Sequence, residues 1–306
     1  MNVLVTGGAG FIGSHLIGKI EKKHIVTVVD NGYTGDITRM RTCDVNLIKK
    51  DVCDQKIVKQ IVDEKPNVIV HLAAQTMVDS SIKNPVFDAS ENIMGTLNVL
   101  EAARQCGARV VFASTAAAYG DVVEDDLPVV ESQELSPQSF YGLTKVGVEK
   151  YLELYHRHYG LDYVICRFAN VYGERQGDTG EGGVISIFAK RIAAGKDITI
   201  YGDGTQTRDF VYAGDIARGI CKAMTTKNVN TVYNLSTQTE TSLLDLVKIM
   251  GKVSGCDIVP KFGSVREGDI YRSMLSNQKA KEGLGWEPQV SLTDGLRRTM
   301  AYFQGN

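Results

Sequence analysis

Short blocks of apolar residues recur through the first half of the chain, separated by stretches with a helical period. Val3-Leu4-Val5, Ile25-Val26-Thr27-Val28-Val29, Val45-Asn46-Leu47-Ile48 and Val68-Ile69-Val70-His71-Leu72-Ala73-Ala74 read as buried strands, as do residues 108–115 and 162–168. Ile12, Leu16, Ile17 and Ile20 fall three and four apart, which puts them on one face of a helix. A long helix is predicted over residues 84–106, stopped by Gly107 in a left-handed C-cap, and another over 141–159. Strands that are apolar throughout and alternate with helices make a parallel sheet covered on both faces. The expected fold is therefore α/β, a Rossmann-like doubly wound parallel sheet.

The pattern changes after Asn170. Residues 173–183 are polar and hold Gly173, Gly177, Gly180, Gly182 and Gly183, which reads as a mobile loop. A helix over 184–194, a strand at 198–201 and a turn at Gly202-Asp203-Gly204 follow. A helix over 214–224 and a strand at 232–235 are expected to return to the first sheet. Ser242-Leu243-Leu244-Asp245 looks like a capped helix start, and the last helix begins near Leu292, after Trp286-Glu287-Pro288. The expected division is a dinucleotide-binding domain over 1–171, with returning segments at about 209–236, and an interleaved, smaller C-terminal α/β substrate lobe over 172–306.

Composition narrows this modestly. A chain of 306 residues buries a large core and has room for two lobes. A net charge of −2 gives no electrostatic reason to bind nucleic acid or an anionic membrane. The chain enters a strand at once, and no apolar run reaches membrane-spanning length, so neither signal peptide nor membrane anchor is expected. Cys43, Cys53, Cys106, Cys166, Cys221 and Cys256 include no C-x-x-C pair and sit mostly in apolar contexts. Buried free thiols in a reducing, cytoplasmic compartment are expected. Five scattered histidines show no metal-ligand spacing, so no metal is expected.

The candidate chemistry begins at Thr6-Gly7-Gly8-Ala9-Gly10-Phe11-Ile12-Gly13, between the first strand and the first helix. A Cβ there would keep a pyrophosphate from the backbone N–H groups, which hold it together with the positive end of the helix dipole. A glycine string alone is equally the mark of a tight turn. The acid ending the next strand, Asp30, adds the second signal. It accepts hydrogen bonds from an adenosine ribose and repels a 2′-phosphate, favouring NAD over NADP. Ala73-Ala74, small residues at a strand end, suit either close cofactor approach or helix–sheet packing. Asn92, within a helix, is unfavourable unless it meets a polar partner or solvent.

Tyr141-Gly142-Leu143-Thr144-Lys145 puts a phenol and an ammonium on one helix face. Bringing a phenol from a pKa near 10 toward about 7 takes roughly 4 kcal/mol, which the ammonium and a positively charged nicotinamide would supply. Alone, this spacing is common on solvated helix faces. Behind a dinucleotide fingerprint, with Ser114-Thr115 at a strand end, it becomes an acid–base pair with Thr115 holding the substrate hydroxyl.

Together with His71-Leu72-Ala73-Ala74 and Arg167-Phe168-Ala169-Asn170, these motifs resemble the extended short-chain dehydrogenase/reductases, and within them the UDP-glucose 4-epimerase family, over residues 1–303. The resemblance implies NAD held by Gly7, Gly10, Phe11, Ile12, Gly13, Asp30, Asn31, Asp51, Val52, Leu72, Ala73, Ala74, Asn92, Tyr141, Lys145 and Phe168. It implies a homodimer built on the helices over 84–106 and 141–159. It also implies a UDP-sugar site at Thr115, Tyr141, Asn170, Val184, Tyr201, Arg208, Arg266, Asp269 and Ser273. Two arginines suit a pyrophosphate and an acid suits ribose hydroxyls. Asp209 and Glu267 adjoin the arginines, so surface ion pairing is the alternative reading.

Related dehydratases typically carry Asp-Glu after the threonine; here Ala116 and Ala117 stand there, with no acid–base pair to remove water. The groups present suit a redox epimerisation: Tyr141 takes the C4 hydroxyl proton as hydride passes to NAD. The 4-keto sugar then turns over and receives the hydride on its other face. Ser273 falls where the family borders the sugar's C2 substituent, a small residue leaving room for an acetamido group. A slip of one residue would put Arg272 there instead. The expectation is a 4-epimerase of UDP-N-acetylglucosamine and UDP-N-acetylgalactosamine, alongside UDP-glucose and UDP-galactose. The alternatives are a reductase or dehydratase of the same fold, or a catalytically silent NAD-binding scaffold.

Overall fold

Six strands of the first half, β1 (Asn2–Thr6), β2 (Ile25–Asp30), β3 (Asn46–Lys49), β4 (Val68–His71), β5 (Arg109–Thr115) and β6 (Tyr163–Phe168), join the later strand Thr231–Leu235 in one sheet. This is a computed structural model, and it describes residues 1–177, 182–265 and 270–305. The sheet order is β3-β2-β1-β4-β5-β6 followed by Thr231–Leu235, with every pairing parallel. The chain leaves β1 toward β2 on one side and returns to β4 on the other. That reversal opens a crevice at the carboxyl ends of β1 and β4, the place where such sheets bind ligands.

Both faces of the sheet are covered, because its strands are apolar throughout. On one face α1 (Phe11–Ile20) lies beside the later helix Ala213–Thr225, so Leu16, Ile17 and Ile20 pack with Ile216, Ala217 and Ile220 over Val3, Val5 and Val28. On the other lie α2 (Ile57–Asp63), α5 (Gly95–Cys106) and α6 (Phe140–Tyr159), with α3 (Val78–Lys83) and α4 (Pro85–Ala89) packed against α6. There Ile57, Ile61, Leu100, Val148 and Leu152 cover Leu4, Ile69, Val110 and Ile165. Each such aliphatic side chain contributes about 1.5–3 kcal/mol when fully buried. A third core, including Phe188, Ile200, Phe210, Leu246, Met250, Leu296 and Met300, belongs to the later elements. The strand and helix expected to return to the first sheet do so.

The helix expected over 84–106 is not one α-helix. Asn84 caps α4 by accepting from Phe87 N at 3.1 Å, Pro85 starts it, and a π-helical turn, Ser90–Met94, separates it from α5. The extra residue of such a turn shifts the facing side chains, and here Asn92 ends up 2 % exposed. Short α2, α3 and the helix Gln278–Leu284 were not anticipated; α2 buries only Ile57 and Ile61, too few positions to establish a period. Gly107, at φ +70°, closes α5 as expected, and Ser242 caps Leu243–Ser254 by accepting from Asp245 N at 3.0 Å.

The cysteine reading needs correcting: all six are free, but only Cys166 is buried, four are partly covered and Cys256 is exposed. Of the glycine-rich loop after Tyr172, residues 178–181 lie outside the described residues. Among the described residues no helix is long and apolar enough to cross a membrane.

Candidate active site at the sheet's switch point

The glycine loop sits at the reversal between β1 and β4. Gly7 adopts φ +69°, and a Cβ there would lie 2.7 Å from Ala73 N and 3.0 Å from Leu72 C, both backbone atoms. At Gly13 an added carbon would overlap Gly7 O and come 2.7 Å from Gly8 Cα. The loop is thus folded against the start of α1, whose N-cap Gly10 offers no side chain to occupy the first N–H groups. That is a cradle for a phosphate, and it would close if side chains replaced the glycines.

Behind the cradle, Asp30 is 7 % exposed and accepts from Ala9 N at 2.9 Å and Gly32 N at 2.8 Å. Burial pushes its pKa up, against the pull of those two amides. Beside it Asn31 donates to Asp51 at 2.8 Å, Asp51 accepts from Cys53 N at 2.8 Å, and Asn98 holds Val52 O at 2.8 Å. Asp30, Asn31, Asp51 and Val52 therefore gather at the carboxyl ends of β2 and β3. This arrangement fits a dinucleotide, with phosphates at the glycines and a ribose beside Asp30.

A cleft of about 530 Å³ continues from the cradle. Gly7, Gly10, Phe11, Ile12, Gly13 and Leu72 of the cradle line it, as do Thr115, Tyr141, Lys145 and Phe168. Asn170, Val184, Arg208 and Ser273 line the rest. α6 is aimed at this cleft by its N-terminus. Ser139 caps it, accepting from Gly142 N at 3.1 Å, and Gly142 lies so close to Ala117 O that a Cβ would meet it at 2.7 Å. Tyr141, directly before Gly142, lines the same cleft as Thr115. One turn on, Lys145 Nζ donates to Ala113 O at 3.0 Å, with the ring of Tyr141 5.8 Å away.

The electrostatics depart from the expectation. Burial pushes the Tyr141 phenol up to about 12, with the neighbouring Thr115 hydroxyl opposing and the Asp88 charge adding to the rise. Burial pulls Lys145 down to about 8, opposed by Asp88 and Glu149. The ammonium turns to the Ala113 carbonyl, so within the protein alone it does not lower the phenol.

Residues 3–236 match the model of the NAD dependent epimerase/dehydratase family. The chain belongs to that family. NAD is the family's cofactor, in agreement with the cradle. The UDP-glucose 4-epimerase of Mycolicibacterium smegmatis is 37% identical over 311 residues, with 99% of each chain covered. A crystal structure of UDP-glucose 4-epimerase from Thermotoga maritima with UDP-glucose superposes with a TM-score of 0.96 at 41% identity, covering 100% of this chain and 99% of that one. A UDP-N-acetylglucosamine 4-epimerase from Methanobrevibacter ruminantium, in complex with UDP-N-acetylmuramic acid, gives 0.93 at 32% identity, covering 99% and 97%.

Other expected residues of this epimerase/dehydratase chain stand away from the cleft wall. Ala73 and Ala74 follow Leu72 on the loop after β4, with Ala73 N bonded to Thr6 Oγ1 at 3.2 Å. Asn92 has the polar partners its mid-helix position required: it accepts from Gln75 N at 2.8 Å and donates to Gln75 O, Asp88 and Thr144 at 3.0, 3.2 and 3.1 Å. Tyr201 is 41 % exposed on a later strand, beside Gly263. Arg266 and Asp269 lie outside the described residues. Asp209, the acid beside Arg208, is fully buried and accepts from Thr237 N, Thr237 Oγ1, Gln238 N and Leu275 N, so it serves the fold rather than its neighbour.

Ser273 and its neighbour Arg272 point to different surroundings. Arg272 is bound to Glu240, Nε to Oε1 at 2.9 Å, and to Glu124, while Ser273 stands on the cleft wall. Sequence reasoning missed the buried polar layer behind Thr115. Ser114 donates to Glu149 at 2.5 Å, Glu149 takes Arg167 in two bonds at 3.0 and 2.6 Å, and Arg167 reaches Tyr119 at 2.9 Å. Nothing in a helical or strand period marks such a layer.

Proposed function

We propose that the chain is an NAD-dependent 4-epimerase of UDP-hexoses, acting on UDP-N-acetylglucosamine and UDP-N-acetylgalactosamine alongside UDP-glucose and UDP-galactose. The observation that carries this reading is the meeting of Thr115, Tyr141 and Lys145 in a cleft that runs on from the glycine cradle to Ser273. Asp30 behind the cradle favours NAD over NADP. NAD, when bound, supplies a hydride acceptor and a positive charge that favours the phenolate. Thr115 orients the C4 hydroxyl and Tyr141 takes its proton; once the 4-keto sugar has turned over and regained its hydride on the opposite face of C4, Tyr141 returns the proton to the C4 oxygen. Lys145 keeps positive charge beside the phenol through both halves. Val184, Asn170 and Arg208 grip the nucleotide diphosphate, joined by Tyr201, Arg266 and Asp269.

Ala116 and Ala117 on the cleft wall offer no acid for dehydration, and the complete Thr115–Tyr141–Lys145 set argues against a silent scaffold. We take residues 172–306 as the substrate lobe around the third core. Exposed Leu143, Tyr151 and Leu154 on α6, with Met94 on the π turn, support a homodimer across α5 and α6, and six free thiols support a cytoplasmic setting. The test is incubation with each of the four UDP-sugars, followed by chromatography of the products. Ser273→Tyr should suppress turnover of the N-acetylated pair and leave UDP-galactose turnover largely intact. An equal loss on both pairs would remove Ser273 as the gate, and a stable keto product or net cofactor consumption would overturn the epimerase reading.

A further inference from the structure

Beneath the Tyr141–Lys145 face lies a set of buried charged groups, of which Asp88 and Glu149 are marked by no motif. Lys145 is 4 % exposed, and an ammonium out of water needs an anion close by. Its hydrogen bond goes to a neutral carbonyl, Ala113 O. Two carboxylates act on it: Asp88 from α4, and Glu149 one turn along α6. Glu149 is already held by Arg167 from β6 in two charged bonds, and by Ser114. Asp88 has no exposed surface, and its hydrogen bonds come from three neutral donors: Gln75 Nε2 at 2.6 Å, Asn92 Nδ2 at 3.2 Å and Thr144 Oγ1 at 3.2 Å. The layer thus holds two carboxyl and two basic side chains, and with Glu149 taken by Arg167 the carboxyl left for Lys145 is Asp88.

We propose that Asp88 is the counter-charge of Lys145 and, through it, a positioning residue for the reaction. Its three donors come from the loop after β4, the π turn and α6, with Thr144 directly before Lys145 in the chain, so the anion is fixed relative to the reacting face. Three donors also stabilise the ionised form of a carboxylate that burial disfavours. The other titratable groups around Lys145 are Tyr141 on its own helix and His71 from β4. His71 stays neutral, held between Thr6 Oγ1 at 2.7 Å and Thr96 Oγ1 at 2.8 Å. The same anion opposes ionisation of Tyr141. Asp88 therefore raises both ionisations together, and its removal should move the whole pH–activity bell downward rather than only lower it.

This inference rests on the reading of Tyr141 and Lys145 as the acid–base pair, and the experiment separates the two. Asp88→Asn holoenzyme carrying 13C-labelled lysine is titrated by NMR, with the Lys145 signal assigned by its loss in Lys145→Met. The Lys145 pKa should fall by about one unit or more, and both limbs of the kcat profile should move down with it. KM for the UDP-sugar should stay within about threefold. An unchanged Lys145 pKa, or a bell reduced in height but unmoved, overturns the proposal. A lowered Lys145 pKa with undiminished turnover upholds the counter-charge and counts instead against Lys145 as part of the acid–base pair. Should the variant fail to fold, the Asp88 carboxyl signal of the wild-type holoenzyme decides: ionised at pH 7 supports the proposal, protonated overturns it.

Discussion

Gly7→Ala tests the cradle at its tightest point. The added methyl would lie 2.7 Å from Ala73 N and 3.0 Å from both Ala73 Cα and Leu72 C, against about 3.5–4.0 Å for unstrained carbon contacts. All three are backbone atoms, so no side chain can swing aside. At φ +69° the β-carbon itself costs about 1–2 kcal/mol. Relief requires the ends of β1 and β4 to part. That stretches the bond from Leu72 N to Thr6 O (3.1 Å) and the bond from Ala73 N to Thr6 Oγ1 (3.2 Å), each worth about 1 kcal/mol. The sum is about 3–4 kcal/mol, a large part of the roughly 5–15 kcal/mol that holds a typical protein folded. Urea unfolding should show that loss, and acid extraction of the purified variant should yield much less than one NAD per chain. Gly18→Ala is the control, because nothing lies within 4 Å of its added carbon; it should be stabilising by about 0.5–1 kcal/mol. A Gly7→Ala protein within about 0.5 kcal/mol of wild type, still loaded with NAD, would refute the steric account.

Tyr141→Phe should lower kcat by about 100-fold or more while leaving NAD content and the unfolding midpoint close to wild type; near-normal turnover would remove Tyr141 as the base. Arg167→Leu leaves the buried Glu149 carboxylate without its cation and should cost about 3–5 kcal/mol in urea unfolding, so a loss under about 1 kcal/mol would mean Glu149 is solvated or protonated in the fold. His71 is held neutral, with its pKa pulled by burial from 6.5 to about 3, and His15 is pulled to about 4. The unfolded chain takes up protons that these folded imidazoles refuse, so the contribution of the two histidines to stability should be level above pH 6.5 and fall as pH drops below it. Each group contributes up to about 1.4 kcal/mol per pH unit well below its unfolded pKa. His71→Asn should make the decline between pH 6.5 and 5 distinctly shallower, and parallel wild-type and variant curves there would contradict the assignment.

The elements most legible in the sequence are those whose cause is local. The Gly7–Gly13 loop follows from what a Cβ would obstruct within one turn, Gly107 from a left-handed cap, and the shared face of Tyr141 and Lys145 from the helical period. Even Asn92 announced its need for a polar partner, though not which one. The π turn, the short helices and the true exposure of the cysteines were hidden, because each depends on what packs against a few residues rather than on any repeat along them. The choice of Ser273 over Arg272 at the cleft was decided by Glu240 and Glu124, 32 and 148 positions away in the chain. The charges behind the site were least legible of all. Asp88 meets Thr144 across 56 residues and Glu149 meets Arg167 across 18, and in the sequence each looks like an ordinary solvated side chain. Periodicity records which face of an element is apolar; it carries no information about which charge will face which once water has been excluded. Only the tertiary structure decides that, because a buried charge is tolerable only where the fold brings its partner.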